Sequence, residues 1–267
     1  MLAAARTLFV VCLVTSPAAI VVAQPAAVPI KIGVIDSQHI DHPTHHVQGL
    51  AATAKNYWIT SVDRLAKRGH VYRVDRASGK VTTERELTLG TQYHPGGITL
   101  AADALWAPVA EYRPRSTSTI LKLDPMSLAT KASFTIDDHI GCLAVVDDGE
   151  ILAANWDART FHRLGTDGKK LGELANPRPA KYQDLKTLDG RIVASGTELV
   201  DGQQLPVIDR LHPKTLALVS RWQPTGTLRT GGNNFCREGC AIYDGQLLLM
   251  PEDGPQTTIY RFAIPTD

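Results

Sequence analysis

Cysteine is scarce in this chain, with four residues among 267, and charge is almost balanced at a formal net charge of +1. Binding dominated by phosphate contacts needs a basic surface, so the composition gives no global argument for a nucleic acid or an anionic membrane as partner. The serine nucleophile elbow, the phosphate loop, the dinucleotide fingerprint and the zinc-protease helix motif are all missing from the sequence. These absences count against the commonest enzyme classes.

Long apolar runs are confined to the N-terminus. Arg6 precedes an apolar stretch from Leu8 to Val14, and Val21-Val22-Ala23 has the small residues of a cleavage pattern. Ser16-Pro17 interrupts the run, which falls short of the roughly 20 apolar residues that a membrane span needs. Residues 1–23 are therefore predicted to be a secretory signal peptide. We expect the mature protein in the periplasm or outside the cell, with no membrane partner after cleavage.

Five similar segments recur along the rest of the chain, each made of a short opening, an apolar strand, a tight turn and a second apolar strand. The openings are His46-Val47-Gln48-Gly49-Leu50, His94-Pro95-Gly96-Gly97-Ile98, His139-Ile140-Gly141-Cys142-Leu143, Lys181-Tyr182-Gln183-Asp184-Leu185 and Arg237-Glu238-Gly239-Cys240-Ala241. Counted from the fourth position of each opening, the repeats start at residues 49, 97, 142, 184 and 240. Periods of this length, built from strands and turns, are typical of β-propellers.

The repeats predict an all-β fold, a five-bladed β-propeller with four strands per blade. The last repeat offers only three strands, while an orphan strand, Ile30 to Ile35, precedes the first repeat. An unpaired sheet edge exposes free backbone donors and acceptors, so we expect the N-terminal strand to close the last blade. The predicted organisation is an N-terminal lead with this closing strand at 24–45 and one propeller domain at 46–267. An open sheet stack, or a six-bladed ring with a degenerate blade, is the alternative.

Each repeat places a basic or imidazole residue in its opening and an acid about 16 to 18 residues later, at the end of the second strand. The basic positions are His46, His94, His139, Lys181 and Arg237, and the acids are Asp63, Glu111, Asp157, Glu198 and Glu252 with Asp253. In a four-stranded blade, the entry to the inner strand and the loop after the second strand lie on one face. The sequence therefore predicts a cationic or imidazole ring at the mouth of a central channel, with carboxylates beside it.

The three histidines of this ring are candidate ligands of one divalent metal ion. Imidazole is the commonest metal ligand, and a ligating ring usually donates its other N–H to a carboxylate or carbonyl. His46, His94 and His139 come from consecutive repeats and have candidate carboxylates nearby. Neighbouring positive charge disfavours protonation of an imidazole, which keeps the ring in the form that a metal needs.

Two other interpretations of the ring remain open. Lys181 and Arg237 can hold a small anion or a peptide end, with Tyr182 and Trp156 as the walls of the pocket. Alternatively, the base and acid of each repeat only pin two loops together, and exposed pairs of this kind contribute about 0 to 1 kcal/mol. A glycine-rich connection, residues 223–235, reaches the same face and is either a binding loop or a filler between uneven blades.

The cysteines allow one local disulfide. Cys236 and Cys240 are separated by three residues in a protein predicted to be exported, so a disulfide at the mouth of the last blade is expected. Cys142 follows His139 by three residues and is either a buried thiol or a fourth metal ligand.

The first repeat carries a family resemblance. Val47-Gln48-Gly49-Leu50, followed by Val71 to Asp75 and Ser78 to Val81, resembles the opening blade of bacterial and plant glutamine cyclotransferases. That resemblance implies a secreted five-bladed propeller which closes N-terminal glutamine to pyroglutamate. The chain is also similar, across nearly its whole mature length, to secreted bacterial propeller proteins of unknown function.

Later repeats depart from the cyclotransferase pattern. Gly96-Gly97 stands where that pattern leads one to expect Glu-Gly, and His139 to Cys142 replaces an acidic, tryptophan-containing opening. Glu238-Gly239 keeps such a pair, so Glu238 is the carboxylate that the resemblance implies as catalytic. Propellers host many chemistries, and the resemblance therefore supports the fold more than the reaction.

Two classes of function follow. The favoured one is an exported monomer that binds a small anionic or peptide ligand at a His/Lys/Arg-lined mouth of the central channel. The alternative is a metal-dependent hydrolase or lyase that uses the histidine cluster, with Glu238 or Glu111 moving the proton, or a glutaminyl-peptide cyclotransferase-like enzyme. Beyond the one divalent metal ion of the alternative, no cofactor is predicted.

Overall fold

Alternating apolar runs and tight turns give the chain twenty-one β-strands within residues 28–146 and 149–265, the part that the computed structural model describes. The first strand, β1 (Ile30–His39), precedes the repeats. A single turn of 3-10 helix, Gly254–Gln256, interrupts the last repeat. The predicted all-β class is confirmed.

The other strands follow the repeats in order. The first repeat contains β2 (His46–Ala52), β3 (Asn56–Asp63), β4 (Arg68–Asp75) and β5 (Val81–Glu86). The second contains β6 (Gln92–Pro95), β7 (Thr99–Ala101), β8 (Ala104–Glu111), β9 (Ser118–Leu123) and β10 (Thr130–Ile136). The third contains β11 (Ile140–Val145), β12 (Ile151–Asn155), β13 (Thr160–Leu164) and β14 (Lys170–Ala175). The fourth contains β15 (Lys181–Leu188), β16 (Arg191–Val200), β17 (Gln203–Leu211) and β18 (Leu218–Thr225). The fifth contains β19 (Gly239–Tyr243), β20 (Gln246–Met250) and β21 (Thr258–Ala263).

Each repeat folds as an antiparallel meander. The first and third repeats form separate sheets in the orders β2-β3-β4-β5 and β11-β12-β13-β14. In the second repeat, β6 and β7 both pair with β8 and are separated by Gly96-Gly97, so the inner strand is interrupted. The fourth and fifth repeats lie in one eight-stranded sheet, in the order β15-β16-β17-β18-β1-β21-β20-β19.

The N-terminal strand joins the last two repeats. The second half of β1 pairs antiparallel with β21, from Val34 opposite Phe262 to His39 opposite Thr258. The first half pairs parallel with β18, from Ile30 opposite Trp222 to Gly33 opposite Thr225. The expected pairing with the last repeat is thus present, and β1 also merges the fourth and fifth repeats into one eight-stranded sheet. The reason is that β1 is ten residues long and serves two neighbours in succession.

Five apolar clusters fill the spaces between consecutive repeats. One lies between the first and second repeats, one between the second and third, one between the third and fourth, and one between the fourth and fifth. The remaining cluster packs Leu50 and Tyr72 of the first repeat against Leu248 and Met250 of the fifth. The two ends of the repeat array therefore bury apolar surface against each other.

A buried ion pair joins the inner strands at their meeting point. Asp184 on β15 accepts hydrogen bonds from the backbone N–H of Leu50 at 3.2 Å and of Cys240 at 2.9 Å. Lys186 donates from Nζ to Asp184 Oδ1 at 2.6 Å and to the carbonyl of Ile98 at 2.8 Å. Burial raises the pKa of Asp184 to about 6, while Lys186 and the backbone donors oppose this shift. Polar side chains thus fill the centre, where the sequence predicted a channel.

Candidate functional site

The openings of the repeats lie opposite the ends of the second strands, as the repeat pattern predicts. His46 pairs with Val62, His94 with Ala110, Ile140 with Asn155, Lys181 with Thr197 and Gly239 with Met250. In each repeat, the acid comes directly after this second-strand residue or two residues after it. Openings and acids of all five repeats therefore share one end of their sheets, which we call the mouth.

At the mouth, His46 binds an acid of the fifth repeat. Its Nδ1 lies 3.0 Å from Asp253 Oδ2, and the other oxygen of Asp253 accepts a hydrogen bond from the N–H of Val47 at 3.1 Å. The same His46 nitrogen is 4.0 Å from Glu238 Oε1. The acid of the first repeat, Asp63, instead caps its own turn by accepting the N–H groups of Leu65 and Ala66.

Glu238 is a buried carboxyl group with long contacts to its partners. Gln48 Nε2 is 3.4 Å from Glu238 Oε2, and Arg237 Nε is 3.8 Å from Glu238 Oε1. Burial, followed by the charge of Asp253, raises the pKa of Glu238 well above its ordinary value. The shift favours the protonated form of Glu238, the form that can donate a hydrogen bond.

Two buried histidines continue the chain of polar contacts. His94 Nε2 lies 3.1 Å from Gln48 Oε1, and His94 Nδ1 lies 3.2 Å from His139 Nε2. His139 Nδ1 lies 2.8 Å from the carbonyl oxygen of Arg113. Burial, followed by the charges of His139 and His46, lowers the pKa of His94 well below its ordinary value. Burial also lowers the pKa of His139 to about 4, so both rings are neutral near pH 7.

An aromatic wall covers the two histidines. The ring of Trp156 lies 4.4 Å from His139 and 5.3 Å from His94, and the ring of Tyr112 lies 4.4 Å from His94. Tyr93 stacks on Tyr112 at 6.1 Å. Trp156 is 36% exposed, so it borders solvent.

Two solvent-filled cavities flank Asp253. The first, of about 400 Å³, is lined by His45, His46, Arg64 and Asp253 among others. The second, of about 480 Å³, is lined by the same Asp253, by Arg237, and by Thr230, Gly231, Gly232, Asn233, Asn234 and Gln256. The glycine-rich connection at 223–235 therefore supplies one side of the second cavity. A further cavity of about 230 Å³ lies at the opposite end of the sheets, around the turns at Val146 and Gly190.

The predicted ligand-binding residues have different surroundings. Lys181 is exposed, and the Arg237 side chain is 51% exposed at the second cavity. Tyr182 is buried between the third and fourth repeats, where its hydroxyl donates to Asp209 Oδ2 at 2.6 Å. Because successive residues of a strand point to opposite faces, Tyr182 packs into the core next to an exposed Lys181. It is not available to a ligand at the mouth.

The predicted base and acid pairs within single repeats do not form. Glu198 pairs with Arg221 at 2.6 Å, and Glu252 accepts hydrogen bonds from Thr230 and Tyr260. Glu111 pairs with Arg113 at 2.8 Å, and this contact lowers the pKa of Glu111. A lowered pKa keeps the carboxylate ionised, so the structure favours Glu238 over Glu111 as a group that carries a proton.

The predicted disulfide is absent. Cys142, Cys236 and Cys240 are free thiols and are fully buried. Cys236 and Cys240 pack in the apolar cluster between the fourth and fifth repeats, and burial raises the pKa of Cys236 to about 12. Burial also raises the pKa of Cys142, whose Sγ lies 3.9 Å from the carbonyl of Tyr182. Cys142 is therefore a buried thiol instead of a metal ligand.

The structure divides the predicted histidine trio. His94 and His139 lie together, whereas His46 lies with Glu238 and Asp253, whose ligand atoms are all within 4.8 Å of one another. Gln48, which the sequence analysis did not single out as a site residue, lies between the two groups. It occupies a β-bulge between Val47 and Gly49, and a bulge re-aims a side chain. Its spacing of two residues from His46, within the same opening, is the sequence signal that could have identified it.

Comparisons with known proteins place the chain within a family and a fold. The model of a family of unknown function, DUF6454, matches residues 22–183, more than half of the chain. No curated protein matches. These findings give no support to the resemblance to glutamine cyclotransferases.

Solved structures similar to the chain have propeller-like folds. A protein of unknown function from Bacteroides caccae is 12% identical with a TM-score of 0.52, over 78% of this chain and 71% of that one. The WD40 domain of Pan2 from Neurospora crassa is 11% identical with a TM-score of 0.50, over 90% and 98% of the two chains. A bifunctional GH43-CE protein from Bacteroides eggerthii is 9% identical with a TM-score of 0.59, over 89% of this chain and 35% of that chain. At these identities the likeness shows the fold alone.

Within residues 28–146 and 149–265, no helix has the length and apolar character needed to cross a membrane. The predicted signal peptide lies outside the described residues.

Proposed function

Since this chain belongs to DUF6454, a family of unknown function, we propose from the site itself that the protein binds a small anionic ligand at the mouth. The observation that supports this is the second cavity, of about 480 Å³, which combines the guanidinium of Arg237 with the amide side chains of Asn233, Asn234 and Gln256. Guanidinium and amide N–H groups match carboxylate and phosphate oxygens.

The backbone of the cavity wall is held in a tight turn. Gly231 and Gly232 both have positive φ, at 91° and 82°, a conformation that glycine adopts without strain. The N–H of Gly231 donates to the carbonyl of Leu228 at 3.0 Å, so this turn fixes the loop that carries the amide side chains. Glu252, the buried acid beside the loop, accepts hydrogen bonds from Thr230 and Tyr260, so donors already surround its carboxylate.

Cations and acids both border the mouth. Burial raises the pKa of Glu238, which favours its neutral form, and the donors of Thr230 and Tyr260 already bind the carboxylate of Glu252. Because Glu252 and Asp253 also line the second cavity, the proposed anion depends on direct contact with Arg237 and the amide side chains. Because the whole chain has a formal net charge of only +1, this attraction has to be local.

The test is a thermal-shift screen of the mature protein with inorganic phosphate, phosphate monoesters, small mono- and dicarboxylates and short peptides. A ligand at 100 times its Kd stabilises the fold by about 2.7 kcal/mol. Arg237→Gln should weaken binding of the stabilising anion at least tenfold. Arg68→Gln is the matched control, since its side chain is 59% exposed against 51% for Arg237.

Lys181→Gln tests the contribution of the other exposed cation at the mouth. Lys55→Gln is its control, because Lys55 lies in the turn between β2 and β3, at the end of the first repeat's sheet that is opposite to the mouth. Equal weakening in Arg237→Gln and Arg68→Gln would show that the anion binds the surface non-specifically. A screen in which no anion or peptide raises the melting temperature would remove the proposal.

We also propose that the ring contains five blades of four strands. In this description β6 and β7 count as one interrupted inner strand, and β1 supplies the fourth strand of the last blade. The five inter-repeat apolar clusters, one of which joins the first repeat to the fifth, support it.

We also propose that the protein is exported, on the basis of the N-terminal signal, and that it is a monomer. Mass spectrometry of the secreted protein should find a new N-terminus at Gln24, and light scattering should find one chain per particle.

A second candidate function is a metal-dependent hydrolase or lyase. It is favoured by His46 Nδ1, Glu238 and Asp253, which offer ligand atoms within 4.8 Å of one another. A metal held by His46 and Asp253 would polarise a substrate or activate water, and Glu238 beside them would hold the proton. The test is a panel of ester and sugar-acid substrates. Turnover of one of them that is lost both on chelation and in Asp253→Asn would establish this candidate. Binding without turnover would leave the first.

A further inference from the structure

His94 and His139 face each other through one nitrogen each, and both rings are buried, at 7% and 1% exposure. The distance from His94 Nδ1 to His139 Nε2 is 3.2 Å. Whether a hydrogen atom lies between them depends on which nitrogen of each ring is protonated. The outer contact of each ring decides this.

The outer nitrogen of His139 carries the hydrogen. His139 Nδ1 lies 2.8 Å from the carbonyl oxygen of Arg113, which can only accept, and 3.2 Å from Ser116 Oγ, which can accept as well, because it donates to the carbonyl of Thr117. A neutral imidazole has one N–H, so His139 Nε2 presents a bare lone pair to His94.

The outer nitrogen of His94 is also a donor. Gln48 Nε2 donates to the carbonyl of Val47 at 2.9 Å, which orients the amide so that its oxygen faces His94 Nε2 at 3.1 Å. Turning the amide over would bring the oxygen of Gln48 against the carbonyl oxygen of Val47, which can only accept. His94 Nε2 therefore donates, and His94 Nδ1 presents its lone pair to His139.

Two lone pairs at this distance repel unless a cation lies between or beside them. We propose that His94 Nδ1 and His139 Nε2 are two protein ligands of a first-row divalent transition metal of the zinc type. With metal–nitrogen bonds of about 2.0 to 2.1 Å, nitrogens this far apart subtend about 100° at the metal, close to a tetrahedral angle. Mg²⁺ and Ca²⁺ are disfavoured, because they prefer oxygen ligands.

The surroundings fit such a metal. A ligating histidine usually donates its other N–H to a carbonyl or carboxylate, as His94 does to Gln48 and His139 does to Arg113. The rings of Tyr112 and Trp156 border the pair, and Trp156 reaches solvent. The remaining coordination positions are for water or a ligand. This site is separate from the group of His46, Glu238 and Asp253, and it does not depend on the proposed anion.

The experiment titrates chelator-treated mature protein with Zn²⁺ and Co²⁺, using calorimetry for Zn²⁺ and visible absorption for Co²⁺. One equivalent of each metal should bind, with the d–d absorption of nitrogen-ligated Co²⁺. His94→Gln and His139→Gln should each weaken binding at least tenfold. His39→Gln, whose native ring is exposed, should leave binding unchanged.

Loss of binding in Asp253→Asn but not in the two histidine variants would move the metal to the other group and overturn the proposal. Absence of metal binding by the wild type would also overturn it. If the variants fail to fold, NMR of the metal-free wild type decides the point. His139 should be the Nδ1–H tautomer and His94 the Nε2–H tautomer, and either opposite assignment would contradict the argument.

Discussion

Burial sets the charge of individual residues at the mouth. It raises the pKa of Glu238 and lowers the pKa of His94 and His139, so each shift favours the neutral form. Neutral imidazoles suit a metal, and a neutral Glu238 removes one negative charge from the neighbourhood of Arg237. Burial in the fold therefore shifts these residues towards neutral forms before a ligand binds.

The first residue-scale prediction concerns pH. The pKa of His139 is lowered to about 4 in the fold from an ordinary value of 6.5, so the unfolded chain binds more protons between these pH values. This contribution to stability is present above about pH 6.5 and is lost as the pH falls towards 4. Between pH 7 and 4 in chelator, the wild type should lose up to about 3 kcal/mol more unfolding free energy than His139→Gln.

Urea unfolding at several pH values measures the difference. His39→Gln, at an exposed histidine, should keep the pH dependence of the wild type. Parallel curves for the wild type and His139→Gln would mean that His139 titrates alike in the folded and unfolded chain.

A second residue-scale prediction concerns Gly97, where the inner strands approach closely. A Cβ atom there would lie 2.5 Å from Asp184 Oδ1 and 2.7 Å from Cys142 Cβ, both fully buried. Overpacking of this kind costs about 1 to 3 kcal/mol, so Gly97→Ala should lower the unfolding free energy by about 2 kcal/mol or more. Gly172→Ala is the control, because nothing lies within 4 Å of its added Cβ. Equal urea midpoints for the two variants would contradict the prediction.

At the scale of strands, the sequence predicted the repeats and their shared end, because alternation and turns are local signals. It did not predict the bulges in the inner strands, at Gln48, Tyr93, Gly141 and Gln183. A bulge arises from how neighbouring strands pack, and it directs Gln48 between Glu238 and His94. The partner of His46 was missed for a similar reason, since Asp253 comes from the fifth repeat and meets it only when the ring closes.

The strand-scale prediction tests β1 as the connection between the last two repeats. Ile32 is 6% exposed and packs in the apolar cluster between these repeats, whereas Ile35 on the same strand is 54% exposed. Ile32→Ala should lower the unfolding free energy by about 2 to 4 kcal/mol, and Ile35→Ala by less than about 0.5 kcal/mol. Urea denaturation measures both. Similar small losses would show that β1 adds little to the closure of the sheet.

At the scale of the whole molecule, closure depends on apolar contacts between repeats and on one polar connection at the centre. Asp184 binds backbone N–H groups of the first and fifth repeats, and Lys186 extends this connection to Ile98 of the second. Four repeats therefore share a single carboxylate–ammonium pair that is shielded from water. A buried pair of this kind need not add net stability, but breaking it leaves an uncompensated charge.

The last prediction is that Asp184→Ala destabilises the entire ring. The substitution leaves the ammonium of Lys186 buried and removes the acceptor of the Leu50 and Cys240 N–H groups, so we expect a loss of about 3 to 5 kcal/mol. Asp184→Asn combined with Lys186→Met should recover part of the loss, because no charge then remains buried. Asp103→Ala, at an acid whose side chain is 81% exposed, should change stability by less than about 0.5 kcal/mol. Tryptophan fluorescence and circular dichroism should report one coincident urea transition for each variant. A loss below about 1 kcal/mol for Asp184→Ala would mean that the apolar clusters alone close the ring.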